Sequence, residues 1–410
     1  MHVMCSRIVL LSIIVISILG FVAHAQTFGV IYNFTGQNDG AYPEAGVTVD
    51  RAGNLYCTTE MGGTSNRGTA CKLTRAGSGW TFKSLYSFGG PPDASAPIAR
   101  VVIGPDGALY GTTEFGGHNC GGNAGCGTVY KLQPHSGVCT TVLCPWMETL
   151  LYVFNGDSDG ANPGYGDLVF DPAGNIYGTT FFGGSNANGV VFELKRSGNN
   201  WIENPIYTFA PPGGVNPYSG VMFDSAGNLY GTTSSGGSGY GTVYKLSPSG
   251  EGWSGTTLYS FQLASSGGNP YGGVIVDSLD NLYGGTSAGG PGSGGTVYEL
   301  TSSGGTWSFS LLYGLTGTLY QPGMYSNLTM DAAGNLYGTA EKDGANSVGA
   351  IFKLTPSGGG YTYTSLHDFS GESDGAYPVG GVSIDASGNL YGTAKQGGAH
   401  GYGVIWQITP

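Results

Sequence analysis

The sequence predicts an all-β fold. It is a seven-bladed β-propeller with four antiparallel strands per blade, its ring closed by an N-terminal strand that completes the last blade. Three observations predict it. First, Gly-Asn-Leu-Tyr-Gly-Thr-Thr, intact at Gly227–Thr233, returns in variant form six more times. Its tyrosines are Tyr56, Tyr110, Tyr177, Tyr230, Tyr283, Tyr337 and Tyr391; five of the six intervals are 53 or 54 residues, and a period near 50 marks a repeat architecture. The sixth interval, 67 residues, holds a cysteine-bearing insertion. Second, each repeat carries four short β-type segments between turn signals, the content of one propeller blade. Third, the fourth segment is out of phase. A copy stands before the first repeat, at Phe28–Phe34, and none follows the last. An open stack of β-units would not need ends so well matched.

Taken in order, residues 1–25 read as a signal peptide. Arg7 supplies the charged start, Ile8–Val22 the apolar core and Ala23-His24-Ala25 the small-residue cleavage site. The apolar run is short for a membrane span, and Cys5 precedes it, unlike a lipid-attachment cysteine. The mature chain is expected at 26–410, one propeller domain with no membrane span and no C-terminal anchor. It keeps 13 Lys and Arg (14 less Arg7) against 26 Asp and Glu. That balance repels phosphate backbones and argues against nucleic acid. With 78 glycines the chain could be low in complexity, but its glycines are periodic and interleaved with Val, Ile, Leu and Tyr. That is the pattern of a folded, turn-rich β protein.

Within a repeat, the first segment alternates, as in Gly220–Asp224, and closes with Asp-x-x-Gly-Asn. In that turn Asp can bond forward to backbone N–H groups while Gly and Asn accept positive φ. The second segment is Asn-Leu-Tyr-Gly-Thr-Thr. After a Gly-rich loop comes the third, such as Gly241–Leu246. The fourth begins near a Trp and ends in Leu-Tyr-x-Phe, as from Trp253 to Phe261. Trp80, Trp146, Trp201, Trp253, Trp307 and Tyr361 each stand six residues before Tyr86, Tyr152, Tyr207, Tyr259, Tyr313 and His367.

Pairing Thr233 with Thr242 sets Gly231 opposite Tyr244. The same register sets Gly178 against Phe192, Gly284 against Tyr298, Gly338 against Phe352 and Gly392 against Trp406. An aromatic ring over a cross-strand glycine covers bare backbone. In the first repeat both partners change together, to Cys57 and Cys71, which predicts a disulfide suited to an oxidising compartment. Cys120 and Cys126 share one insertion loop and Cys139 and Cys144 the next, so local pairing is expected there, although six cysteines allow 15 connectivities.

The pattern Asp-x-x-Gly-Asn-Leu-Tyr-Gly-Thr-Thr … Gly-Gly … Gly-Thr-Val-Tyr-Lys-Leu resembles the choice-of-anchor tandem repeat GloVer-containing proteins, across essentially the whole mature chain. The resemblance implies a bacterial surface or extracellular protein built of repeated β-units, with no activity to carry over. A weaker likeness is to NHL-type propellers, which use similar turns.

In a four-stranded blade the loops after the second and fourth strands open on one face of the disk. The Asp-x-x-Gly-Asn turns on the opposite face are nearly uniform, whereas the loops after the second segment vary, and variable loops on a rigid scaffold are where binding usually resides. Candidate ligand-binding residues there are Glu60, Glu114, Phe115, Phe181, Phe182, Tyr240, Glu341, His400 and Tyr402. Glu60, Glu114 and Glu341 share one slot after the second segment, and paired carboxylates are what a glycosidase needs. The aromatics could stack on sugars. The sequence holds no His-Glu-x-x-His, Gly-x-Ser-x-Gly or phosphate loop. Of the histidines, His367 fills a structural Tyr slot, His135 lies in an insertion on the opposite face, and His118 and His400 stand in variable loops. Asn155, Asp157 and Asp159 match the front half of a calcium loop whose closing Glu is replaced by Gly166, so calcium is the one cofactor to consider and no metal ligand set is assigned. These residues predict a secreted, monomeric, non-catalytic binding module for carbohydrate or protein. The alternatives are an extracellular hydrolase, lyase or lactonase working on a polysaccharide or lactone at the central funnel, and an architectural cell-envelope protein.

Overall fold

Seven four-stranded antiparallel sheets follow one another along the chain, as the periodicity predicts. The computed structural model describes residues 26–117, 124–135, 146–198, 200–250, 252–317 and 323–410. The expected signal peptide at 1–25, His118, Cys5, Cys120, Cys139 and Cys144 lie outside the described residues. No helix among the described residues is long and apolar enough to cross a membrane.

Blade 1 is typical, with strands Thr48–Val49, Leu55–Thr59, Thr69–Ala76 and Gly79–Ser87 from the axis outward. Blade 7 is assembled from both ends of the chain. Ser383–Ile384, Leu390–Ala394 and Val404–Thr409 are joined by Thr27–Asn33, which pairs antiparallel with Val404–Thr409. The out-of-phase first segment is therefore the missing outer strand. In every blade the third and outer strands slip register by one residue at the Leu or Ile that precedes the repeat Tyr or His, as between Ala70 and Cys71 opposite Leu85. Such a bulge adds twist to an edge that would otherwise lie flat and exposed.

The residues of the repeated stretch divide the work of holding the ring. Asp224 Oδ1 accepts the N–H of Ala226 at 2.9 Å and of Asn228 at 2.8 Å; Oδ2 accepts Asn228 Nδ2 at 2.7 Å and Tyr230 Oη at 3.1 Å. The first threonine of Gly-Thr-Thr reaches into the next blade: Thr232 Oγ1 donates to Gly272 O at 2.9 Å, and Thr393 Oγ1 to Ala45 O at 2.7 Å across the ring closure. The second threonine stays within its blade, with Thr233 Oγ1 2.8 Å from Thr242 Oγ1.

Seven apolar clusters fill the spaces between blades. One joins Phe34, Val47, Leu55, Cys57, Cys71, Leu73, Tyr391 and Ile405, uniting the last blade with the first. The closing Phe of the outer strand in blades 1 to 4 packs edge-on against the aromatic of the next blade's third strand, as Phe209 on Tyr244 at 5.0 Å. The repeated Trp contacts the repeat Tyr of the preceding blade, as Trp80 does Tyr391 at 5.9 Å. Both periodic aromatics are thus inter-blade mortar.

The glycine–aromatic register is the one predicted. Gly231 faces Tyr244, and a Cβ there would lie 2.4 Å from the tyrosine Oη. Cys57 pairs with Cys71 at the same position and the two form a disulfide, Cα to Cα 5.1 Å. Cys126 is also disulfide-bonded.

Candidate functional site

The inner strands of all seven blades surround a central funnel of about 810 Å³, within the range of small-molecule sites. Its mouth lies on the face of the variable loops, and two positions of the repeat build it. One comes shortly before the inner strand: Glu44, Ile98, Tyr165, Tyr218, Tyr271, Tyr325 and Val379, each contributed by a different blade. The other is the slot just after the second strand: Glu60, Glu114, Phe181, Ser234, Ser287, Glu341 and Lys395. Ring symmetry brings residues more than 300 positions apart into contact.

The two tiers are chemically lopsided. Blades 3 to 6 present an arc of tyrosines. Tyr165 and Tyr218 stack at 4.1 Å, Tyr218 meets Tyr271 edge-on at 4.7 Å, and Tyr271 lies parallel to Tyr325 at 4.7 Å. Phe181 supports the arc edge-on, 5.8 Å from both Tyr165 and Tyr218. The arc is continuous because consecutive blades bring equivalent side chains within ring-contact distance near the axis. Burial pushes the hydroxyls of Tyr165, Tyr218 and Tyr325 above the ordinary tyrosine range, with neighbouring carboxylates and tyrosines adding to the rise, so they stay protonated and able to donate.

Opposite the arc stands a charged group from blades 7, 1 and 2. Lys395 Nζ bonds Glu44 Oε1 and lies 3.5 Å from Glu60 Oε2. Burial pushes Glu44 up to about 7, with Lys395 opposing the rise and Glu60 adding to it. Burial works to lower Lys395, but Glu44 and Glu60 outweigh it and hold the ammonium above the usual lysine range. Glu114 accepts a 2.7 Å hydrogen bond from Tyr165 Oη. Burial raises Glu114, and it raises Glu341 at the far end of the arc. Deeper in the funnel, Arg100 Nη2 pairs with Asp167 Oδ2 at 2.6 Å, and Arg100 Nη1 donates to Ser383 Oγ at 3.3 Å. Below that belt the walls are apolar, from Val49, Ile103, Val276, Met330 and Ile384. Glycine dominates the belt for want of room: a Cβ on Gly46 would lie 2.4 Å from Gly381 O, and one on Gly220 2.2 Å from Asp167 O.

Of the residues the sequence singled out, Glu341 lines the funnel, and Glu60, Glu114 and Phe181 stand behind its lining, against Lys395, Tyr165 and Tyr218. Phe115, Phe182, Tyr240, His400 and Tyr402 do not line the funnel. Phe115 belongs to a two-residue ladder with Ser95. Phe182 is 49% exposed and leans edge-on against Phe181 at 4.5 Å. The Tyr240 side chain packs beside Gly268, Tyr402 covers Gly36, and His400 is exposed in its loop. These side chains sit farther along their loops, away from the axis, where they cover turns. Asp159 Oδ2 accepts the N–H of Asn155 at 2.8 Å and Tyr152 Oη at 3.1 Å, so this carboxylate clamps its own loop; Asp157 holds the loop through its carbonyl, accepting Gly184 N–H at 2.7 Å. Among the described residues no group of three or more His, Cys, Asp or Glu converges as a metal site. His367 bonds Asp374 at 3.0 Å and stacks on Phe28 at 3.5 Å, the structural role its slot predicts.

Sequence reasoning missed Glu44, Lys395 and the four tyrosines. The signal for Glu44 and the tyrosines was present, three residues before the apolar residue of each first segment, as Tyr218 precedes Val221 and Tyr271 precedes Val274; Lys395 stands in the slot of Glu60, Glu114 and Glu341. An extra Gly164 between Pro163 and Tyr165 hides the alignment in blade 3.

A seven-bladed propeller with a polar-mouthed, ligand-sized funnel is the class of protein these features define. The Gloeobacter/Verrucomicrobia repeat matches residues 18–147, 121–318 and 238–410, and the chain belongs to that bacterial family. No curated protein sequence matches it. In fold it is similar to an ulvan lyase of polysaccharide lyase family PL25, with TM-score 0.54 and 11% identity over 93% of this chain and 95% of that one. It is also similar to an ancestral GH74 enzyme, with TM-score 0.53 and 12% identity over 90% of this chain; it spans about half (48%) of that enzyme. At such identity both likenesses show the scaffold alone.

Proposed function

We propose that the protein is a secreted binding module that holds a carbohydrate, without cleaving it, at the mouth of the central funnel. The tyrosine arc carries this reading. Four adjoining phenol rings, half-buried and lining a funnel of saccharide size, offer the apolar ring surface left outside their own stacking to the C–H groups of pyranose rings and hydroxyls to their oxygens. Glu44, Glu60, Glu114 and Glu341 supply acceptors for sugar hydroxyls. The signal-peptide pattern of residues 1–25 supports export.

One observation favours a second reading, a polysaccharide-cleaving enzyme. Glu44, held up to about 7, shares Lys395 with Glu60. A carboxyl raised by burial beside a second carboxyl is the kind of pair that acid–base cleavage uses.

The test incubates the purified protein with a panel of soluble polysaccharides, captures the protein and sizes the retained and released glycan by mass spectrometry. The expected result is retention of one class at unchanged length, lost on Tyr218→Ala. Shortened glycan, abolished by Glu44→Gln, would establish the second reading. Neither retention nor cleavage would leave the funnel without a sugar and favour a protein partner or an architectural role.

A further inference from the structure

The charge around the tyrosine arc selects among saccharides, and this inference rests on the carbohydrate reading above. Each cation of the funnel is already engaged. Arg100 is committed to Asp167 and lies below the mouth, and Lys395 to Glu44 and Glu60. Two carboxylates form no ion pair among the described residues, and they stand at the two ends of the arc. Glu114, from blade 2, is bonded by Tyr165 at its near end. Glu341, from blade 6, neighbours Tyr325 at the far end and lines the funnel. Both are half-buried.

We infer that the funnel takes an oligosaccharide of amino sugars with free amines, its rings lying along Tyr165, Tyr218, Tyr271 and Tyr325 and its ammonium groups meeting Glu114 and Glu341. Three features converge on that occupant. The arc supplies a surface for several successive sugar rings rather than one. The terminal carboxylates are partly stripped of water and form no ion pair, with Lys395 acting on both and Lys342 on Glu341 only from a distance, so an ammonium in contact recovers for them what burial removes; hydrogen bonds between charged partners are the stronger class. A uronate or sulfate ester in the same place would meet four glutamates with only one lysine among them, and like charges brought together in a partly dry site repel strongly. An N-acetylated sugar would stack as well but would leave both carboxylates without a counter-charge.

Isothermal titration with four tetrasaccharides of matched length tests the inference: glucosamine, N-acetylglucosamine, glucose and galacturonate, all β- or α-1,4-linked, at pH 6. The free-amine tetramer is expected to bind about tenfold tighter than the acetylated one, the difference one charged hydrogen bond makes. Added salt should narrow that gap, and galacturonate should not bind. Glu114→Gln with Glu341→Gln should bring the amine and acetyl forms to parity. Equal or tighter binding of the acetylated or neutral tetramer, or any binding of galacturonate, would overturn the amine inference and leave the carbohydrate reading standing. If none of the four binds, and Tyr218→Ala changes nothing, both fall together.

Discussion

At the scale of single residues, two sets of carboxylates, those spent on turns and those stranded between blades, are separated by pH. Asp50, Asp224, Asp331 and Asp385 each clamp the turn after an inner strand. Burial opposes their ionisation, but donations from the following Asn, from the repeat Tyr and from backbone N–H groups hold them below the usual carboxylate range. Their contribution to stability is present above the ordinary aspartate pKa and is lost as pH falls through the depressed values. Glu148 and Glu203 are the opposite case. They occupy the position two residues after Trp146 and Trp201, where Phe82, Phe309 and Tyr363 instead stack on the Tyr of the preceding blade. Burial, with Asp93 adding, pushes Glu148 up to about 9; burial, with Asp159 adding, pushes Glu203 up to about 8. Glu148 Oε1, Glu203 Oε1 and Asp159 Oδ1 are buried without hydrogen-bond partners. A carboxyl raised in the folded state favours folding fully below its unfolded pKa, and that contribution is lost as pH rises through the folded pKa. Thermal midpoints of the native protein should therefore fall between about pH 5 and 9. Glu203→Gln should flatten that fall and raise the midpoint at pH 9. An unchanged pH profile would show that Glu203 is not held protonated.

At the scale of strands, the first blade replaces a stacking contact with a covalent one. In other blades a third-strand aromatic lies over a second-strand glycine; in blade 1 Cys57 and Cys71 stand in that register and are bonded. Closing a loop of about 15 residues is worth roughly 3 kcal/mol in the chain-entropy account. Cys57→Ser with Cys71→Ser should lower the urea midpoint by that order, whereas Cys57→Gly with Cys71→Tyr should recover more than half of the loss by restoring the pattern of the other blades. Equal losses would mean the pattern contributes nothing without its neighbours. This pair also shows why so much of the fold was legible in the chain. Repeat period, strand count, ring closure and cross-strand register are all properties of local spacing, and local spacing is written in the order of residues. Glu60, Glu114 and Glu341 were legible for the same reason, sharing one slot after a strand. Their neighbours at the mouth were not. Lys395 and Tyr218 become site residues only when the ring closes and seven equivalent positions turn toward one axis. Phe182, Tyr240 and Tyr402 share the variable loops but stand farther from the axis, where a ring covers a turn.

At the scale of the whole molecule, the near-identity of seven blades gives a rigid frame, and the departures from identity are concentrated where the blades converge. The repeat positions that clamp each turn or join one blade to the next, Asp, Tyr and Thr, vary little. The two positions that reach the funnel run from tyrosine and phenylalanine on one side to glutamate and lysine on the other. A purely architectural ring has no use for that asymmetry, whereas a binding funnel does. The direct test of the account is hydrogen exchange with and without the glycan that the protein retains. Protection should concentrate in residues 42–49, 97–103, 163–170, 216–223, 269–276, 323–330 and 377–384, which approach the funnel, with the outer strands unchanged. Protection confined to outer strands or to the Asp-x-x-Gly-Asn face, with those segments unaffected, would contradict it and move the site away from the axis.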